Sequence, residues 1–152
     1  DDDPGKYWLA RVVNKLDLEN EIVRLRQFVV QFKCHPFAFD DNETVVVFED
    51  ITDPTDQEIN NPGTYVMPKI KVMGSFTKLI LTCSGKTLSY NDAIENAEIV
   101  IDNFHCIKDG SINVGNKLSG QFFEFANGSN TLSIGGEDLN IDVTVSFRPV
   151  YL

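Results

Sequence analysis

The stretch NIDVTVSFRPVYL (140–152) decides the fold class. Ile141, Val143, Val145 and Phe147 alternate with Asp142, Thr144, Ser146 and Arg148. This is the half-buried strand template, apolar on one face and polar on the other, matched at every position. The same period of two returns at 28–34, where Phe28, Val30, Phe32 and Cys34 alternate with Val29, Gln31 and Lys33. Ile70 and Val72 alternate with Lys69 and Lys71. A period of two, not 3.6, dominates the chain.

Turn signals separate these runs. Ser84-Gly85 parts Leu79–Cys83 from Lys86–Tyr90, and Asp109-Gly110, a good type I′ dipeptide, parts His105–Lys108 from Ser111–Val114. Asn127-Gly128 and Gly135-Gly136 punctuate the C-terminal part. About eight short strands at this spacing, with no helices between them, predict a mainly β, antiparallel sandwich. One helical pattern competes, LDLENEIVRLR (16–26), with Leu18, Ile22 and Leu25 on one face and Asp17 placed to cap it. The same residues also read as a loop leading into the strand at Phe28.

Composition narrows the classes of function. The 152 residues, 42% hydrophobic with eleven Phe, belong to a globular chain of one domain, or of one domain and a piece of another. No apolar run approaches the ~20 residues of a membrane span, and no signal peptide is present. A net charge of −10, with 23 acids against 13 scattered bases, argues against nucleic acid as a partner. Three cysteines, Cys34, Cys83 and Cys106, are an odd number at irregular spacing, as expected for a protein made in a reducing compartment. Cys34 and Cys106 lie in apolar strand patterns and are expected to be buried. The chain lacks an initiating Met, and DDDPGKYWLARVV (1–13) runs at once into strand-like sequence, so it reads as a fragment or processed product.

The stretch EDITDPTDQEINNPG (49–63), with two prolines, repeated acids and two isolated apolar residues, reads as a linker that no packed strand could use. The expected organisation is a partial domain over 1–39, an acidic linker over 40–61 and a complete sandwich over 62–152.

No constellation for chemistry emerges. Cys34-His35 and His105-Cys106 offer zinc-type ligands, but neighbours on a strand point to opposite faces, so each pair presents one ligand to a shared ion. Asp1-Asp2-Asp3 and Asp40-Asp41 lack the alternating ligands, glycine turn and distal Glu of a calcium loop. No nucleophile signature surrounds any cysteine, and no Gly-x-Ser-x-Gly elbow occurs. Asn42 and Asn127 match the glycosylation sequon without a secretory signal to accompany it. The expectation is therefore no catalytic residue, no metal, no cofactor and no enzyme. Trp8, in KYWLARVV (6–13), reads as a buried or interface anchor. Phe28, Val30 and Phe32 form an apolar strand face with too little local chain to cover it. Trp8, Phe28, Val30 and Phe32 are thus the candidate subunit-interface residues.

Four segments together resemble the distal tail proteins (Dit) of long-tailed phages. RLRQFVVQFKCHPFAF (24–39) resembles the end of that family's first domain, an alternating strand running into Cys-x-Pro-aromatic. NPGTYVMPKIKVMGS (61–75) resembles the start of the second, an Asn-Pro-Gly-Thr turn followed by an aromatic, a Pro and an apolar strand. IVIDNFHCIKDGSINVGNKLSGQFFEFANGSNTLSI (99–134) resembles its hairpin, its Gly-x-Phe-Phe element and its Gly-x-Asn-Thr turn. VTVSFRPVYL (143–152) is similar to the terminal strand with its Arg-x-x-aromatic-Leu ending.

The resemblance implies a galectin-like sandwich preceded by the last strands of a belt domain, in a virion component at the distal end of the tail that is assembled in the bacterial cytoplasm. In that family six copies form a ring between the tail tube protein and the tail-tip hub, and the ring can carry receptor-binding proteins. The Phe122-Phe123 pair would then be core packing. Sugar binding does not carry over: the sole Trp is Trp8, outside the sandwich, and no His-x-Asn-x-Arg run occurs. The competing class is a carbohydrate-binding module that helps grip the host wall.

Overall fold

The computed structural model describes residues 4–13 and 30–152. The helical pattern at 16–26, the acids at 1–3 and Phe28 lie outside the described residues. Every strand pairing among those residues is antiparallel.

Two sheets pack face to face. One has six strands, in the spatial order β10 (Ile112–Asn113), β9 (His105–Lys108), β8 (Ile94–Asp102), β5 (Lys69–Phe76), β13 (Asn140–Phe147) and β3 (Thr44–Ile51). The other has five: β11 (Leu118–Gly120), β7 (Lys86–Tyr90), β6 (Lys78–Cys83), β12 (Gly128–Glu137) and β4 (Thr55–Asn61). Among the described residues, a third sheet of three strands joins β1 (Lys6–Val12), β2 (Phe32–Asp40) and β14 (Val150–Tyr151), with β2 in the middle.

The alternation read in 140–147 is the alternation observed. Ile141, Val143, Val145 and Phe147 are buried while the residues between them face outward. β13 is a central strand, with Val143 opposite Val72 of β5 on one side and opposite Phe48 of β3 on the other. Its inner face meets Ile59, Leu79, Leu81, Leu88, Tyr90, Leu132 and Ile134 from the five-stranded sheet in one core cluster. Each such side chain contributes roughly 1.5–3 kcal/mol through removal from water. Phe123 and Phe125 are buried in the same cluster and Phe122 packs against it, so the aromatic run at 122–125 is core.

The hairpin signals hold at two sites. Ser84 and Gly85 turn β6 into β7 with φ of 51° and 74°, and Asp109 and Gly110 turn β9 into β10 with φ of 48° and 71°. Gly135-Gly136, expected as a turn, instead lies inside β12. Gly136 serves a close approach, since a Cβ there would strike the Lys78 carbonyl of the neighbouring strand.

The acidic linker expected over 40–61 is not a linker. It holds β3 and β4, one in each sheet of the sandwich. The acids do not prevent packing because they fall on outward positions. Asp56 and Glu58 are exposed, while Ile59 and Asn61 point into the core. Pro54 precedes β4 and therefore removes no ladder donor from it. The sandwich accordingly begins at Thr44, not at residue 62.

Two cysteines, Cys83 and Cys106, are buried, and Cys34 is exposed, against the expectation that Cys34 lies in a core. Its strand, β2, is exposed at every residue from Phe32 to Pro36, so no layer covers the thiol among the described residues. A thiol reagent should therefore label Cys34 in the native protein, and Cys83 and Cys106 only in denaturant.

Two core changes test the packing directly. Leu132→Ala should cost about 2–5 kcal/mol in urea unfolding, whereas Thr131→Ala, on the opposite face, should cost under about 0.5 kcal/mol. Burial pushes the Cys106 thiol up to about 11. Burial, and then the charges of Cys106 and Asp92, push the Tyr90 phenol up to about 12. The unfolded chain ionises these groups near their ordinary values, so stability is whole below about pH 9 and falls as pH rises from there towards 12. A urea midpoint that stays level between about pH 8 and 11 would contradict this.

Candidate assembly interface

After Phe147 the chain leaves the sandwich. Arg148 and Pro149 carry it to β14, whose Val150 and Tyr151 pair with Phe39 and Ala38 of β2. The three-stranded sheet is thus tied by covalent continuity to β13, an interior strand of the six-stranded one next to its edge strand β3.

The junction is held by the Asn61-Pro62-Gly63-Thr64 turn. Thr64 donates to the Val150 carbonyl through its backbone N–H (2.6 Å) and its hydroxyl (3.0 Å). Gly63 permits this approach, since a Cβ there would lie 2.6 Å from both the nitrogen and the oxygen of Val150. Asn61, 0% exposed, fixes the turn from inside. Its Nδ2 shares its hydrogens among the carbonyls of Thr64 (3.2 Å), Phe125 (3.2 Å) and Ala126 (3.3 Å), and its Oδ1 accepts the Gly63 N–H (3.0 Å). Asn127 adds donations from Nδ2 to the carbonyls of Pro62 (3.2 Å) and Gly63 (2.6 Å).

A second set of contacts grips β14 and the end of β2. Arg148 donates from Nη1 to the carbonyls of Asp40 (2.9 Å) and Asp41 (3.0 Å), and its guanidinium lies 5.6 Å from the Tyr7 ring centroid. The Tyr151 hydroxyl donates to Asp40 Oδ2 at 3.2 Å, and Lys6 Nζ sits 4.3 Å from the Tyr151 ring centroid. Tyr7 stacks on Phe39 at 5.7 Å. The cationic groups thus sit over aromatic faces, where the ring quadrupole attracts them.

Beyond this junction the β1–β2 ribbon presents apolar side chains to solvent. Trp8 is 43% and Phe32 62% exposed, and Leu9, Val12 and Val13 are exposed beside them. Phe32 stands opposite Val12. Trp8 stands opposite Ala38, on the other side of an irregularity in the β1–β2 register between Trp8 and Ala10. Val30 is half-buried just before β2. Of the four candidate interface residues, the structure therefore places Trp8 and Phe32 on one ribbon.

The residues of the two His-Cys pairs are placed differently: Cys34 and His35 are both exposed, whereas His105 and Cys106 divide between surface and core. Cys106 is buried while His105 is exposed, and His35 leans on Phe37 and Phe39 at 5.3 and 6.2 Å. Among the described residues, no group of three or more His, Cys, Asp and Glu side chains converges.

No protein-family model matches the chain, and no curated protein matches it by sequence. Comparison of folds does find a match. The crystal structure of the Dit (gp19.1) protein of phage SPP1, described as a paradigm of the hub adsorption apparatus in phages infecting Gram-positive bacteria, superposes with a TM-score of 0.68. The match covers 99% of this chain at 12% identity. This chain has the Dit fold. It spans 62% of the length of the SPP1 protein. Because the match covers nearly the whole chain, the Dit fold takes in the three-stranded sheet as well as the sandwich.

Sequence reasoning picked out the Asn-Pro-Gly-Thr turn and the Arg near the end of the chain, but not that the two meet. What it missed is the role of Asn61 and Asn127, whose side chains bind the turn. Their signal was an Asn-Pro-Gly and an Asn-Gly, each flanking a strand.

Asn61→Ala would leave a buried N–H and several carbonyls short of partners, and should cost roughly 2–4 kcal/mol in urea unfolding. Arg148→Met should act locally. Hydrogen exchange is expected to speed up in β1, β2 and β14 while the core strands β5, β12 and β13 keep their protection. Uniform acceleration across both parts would show that the junction is not a separable unit.

Proposed function

We propose that this chain is a non-enzymatic structural component of a phage tail tip, part of a ring between the tail tube protein and the tip hub. In this reading the three-stranded sheet belongs to the ring-forming belt, and copies of the protein meet through it around a six-fold axis. The sandwich is the platform on which peripheral or receptor-binding proteins dock. The site of action is the distal end of the virion tail.

The observation that carries this reading is the likeness to the Dit fold over 99% of the chain. The small sheet supports it physically. An apolar ribbon bearing exposed Trp8 and Phe32 is fixed to a rigid sandwich by a buried hydrogen-bonded turn. Large exposed apolar side chains grouped in this way mark contact surfaces, and Trp is enriched at their centres. A second reading, glycan adhesion through the sandwich, is supported by an exposed aromatic cleft at the turn between β8 and β9.

Light scattering and electron microscopy of the full-length protein test the ring. Ring-shaped particles of six copies are expected, and Trp8→Glu with Phe32→Glu should abolish them while the far-ultraviolet spectrum stays β-type. A strictly monomeric full-length protein across concentrations would overturn the proposal. The 152-residue chain alone is expected to be monomeric or weakly associated.

A further inference from the structure

The turn from β8 to β9 is made by Asn103 and Phe104, two consecutive non-glycine residues with φ of 43° and 69°. Asn tolerates this left-handed region, but for Phe it is a costly conformation, because Cβ crowds the carbonyl oxygen. The turn leaves the Phe104 ring 64% exposed. The ring is nevertheless held: it meets Phe122 edge to face at 4.9 Å, and Phe122 packs on the sandwich core. An aromatic ring is thus fixed in water by a strained backbone and a core contact.

A cleft opens beside that ring, lined by Phe104, His105, Asn113, Gly115 and Asn116. Asn113 Oδ1 accepts the Gly115 N–H at 2.9 Å, which leaves its amide hydrogens available. The side chains of His105 and Asn116 have no partner among the described residues. No carboxylate, ammonium or guanidinium lines the cleft, although the chain as a whole carries a net charge of −10. The ligand it fits is neutral, has an apolar face for the ring and carries several hydroxyls or amides for Asn113, Asn116 and His105.

We propose that this cleft is a binding subsite for a neutral pyranose of a glycan. One C–H face of the sugar, weakly positive, lies on the negative face of Phe104, and ring hydroxyls pair with the Asn amides and the imidazole. The outer face of the five-stranded sheet offers the contrast. Its cleft is lined by Pro54, Asp56, Ile80, Thr82, Ser133 and Gly135, with hydroxyls but no aromatic ring to stack on. The inference rests on the glycan-adhesion reading of the sandwich and is independent of ring formation.

Titrating the isotope-labelled chain with glucose, galactose, N-acetylglucosamine and short oligomers of each, followed by amide chemical shifts, tests it. At least one sugar should give saturable shifts centred on 103–116, with a dissociation constant on the order of millimolar. Phe104→Ala should weaken that binding about fivefold to tenfold. Asn116→Ala, which leaves the turn and the platform intact, should weaken it by a smaller factor, so the test survives if Phe104→Ala unfolds. Saturable shifts elsewhere, indifferent to both variants, would overturn this subsite while leaving glycan adhesion standing. No saturable shift with any sugar would overturn both.

Discussion

The amide of Asn61 is the point on which the arrangement of the molecule depends. A fully buried side-chain amide must find partners for its donors and its acceptor, or the fold loses the free energy of desolvating them. Here the partners come from separate parts of the chain: the turn at 62–64, and the backbone at 125–126, which is itself bridged to Val66. Satisfying one side chain therefore requires the end of β4, the loop before β12 and the turn before β5 to converge. Once they do, Thr64 is presented to Val150, and the three-stranded sheet takes its place. A local chemical requirement thus sets a long-range geometry.

That geometry explains what could be read in the sequence and what could not. β13, β5 and the β6–β7 hairpin were legible because each has a wet face and a dry face, and the alternation reports which is which. β4 was not legible, because Asp56 and Glu58 dominate its composition while its inward positions are an Ile and a polar Asn61. Asn61 is a core residue by hydrogen bonding and not by hydrophobicity, a distinction that a binary pattern cannot carry. At 28–34 the alternation predicted a half-buried strand, but the described strand begins at Phe32 and is exposed from Phe32 to Pro36, since a period in the sequence says nothing about whether a layer covers it. Hence Phe32 and Cys34 proved exposed. Phe104 escaped for the opposite reason, since Phe is not a turn former and only the backbone reveals that it occupies a turn.

Fold does not fix function, so the two parts of the molecule carry different weights. The three-stranded sheet has a surface whose chemistry, exposed aliphatic and aromatic side chains on a fixed ribbon, suits burial against protein. The sandwich has a closed core and outer faces that are mostly polar. Its edge strands are guarded differently. β4 presents Asp56 and Glu58, whose charges disfavour unplanned strand pairing, whereas β3 exposes Val45 and Val47. The two ends thus differ in chemistry, apolar side chains standing exposed on the ribbon and mostly polar ones on the outer faces of the sandwich.

The passage of the chain from β13 through Arg148-Pro149 into β14 also sets how the molecule carries mechanical load. Tension between sandwich and small sheet is shared by two covalent crossings: one enters β13, hydrogen-bonded on both sides, and the other runs from β2 through residues 41–43 into the edge strand β3. At the other end, β14 is short, yet it is bound by β2 along one edge and by Thr64 near its start. The weaker link in this path is the two-residue strand, not the sandwich. Because β2 continues directly into β3, freeing β14 alone would leave the small sheet tethered to the sandwich.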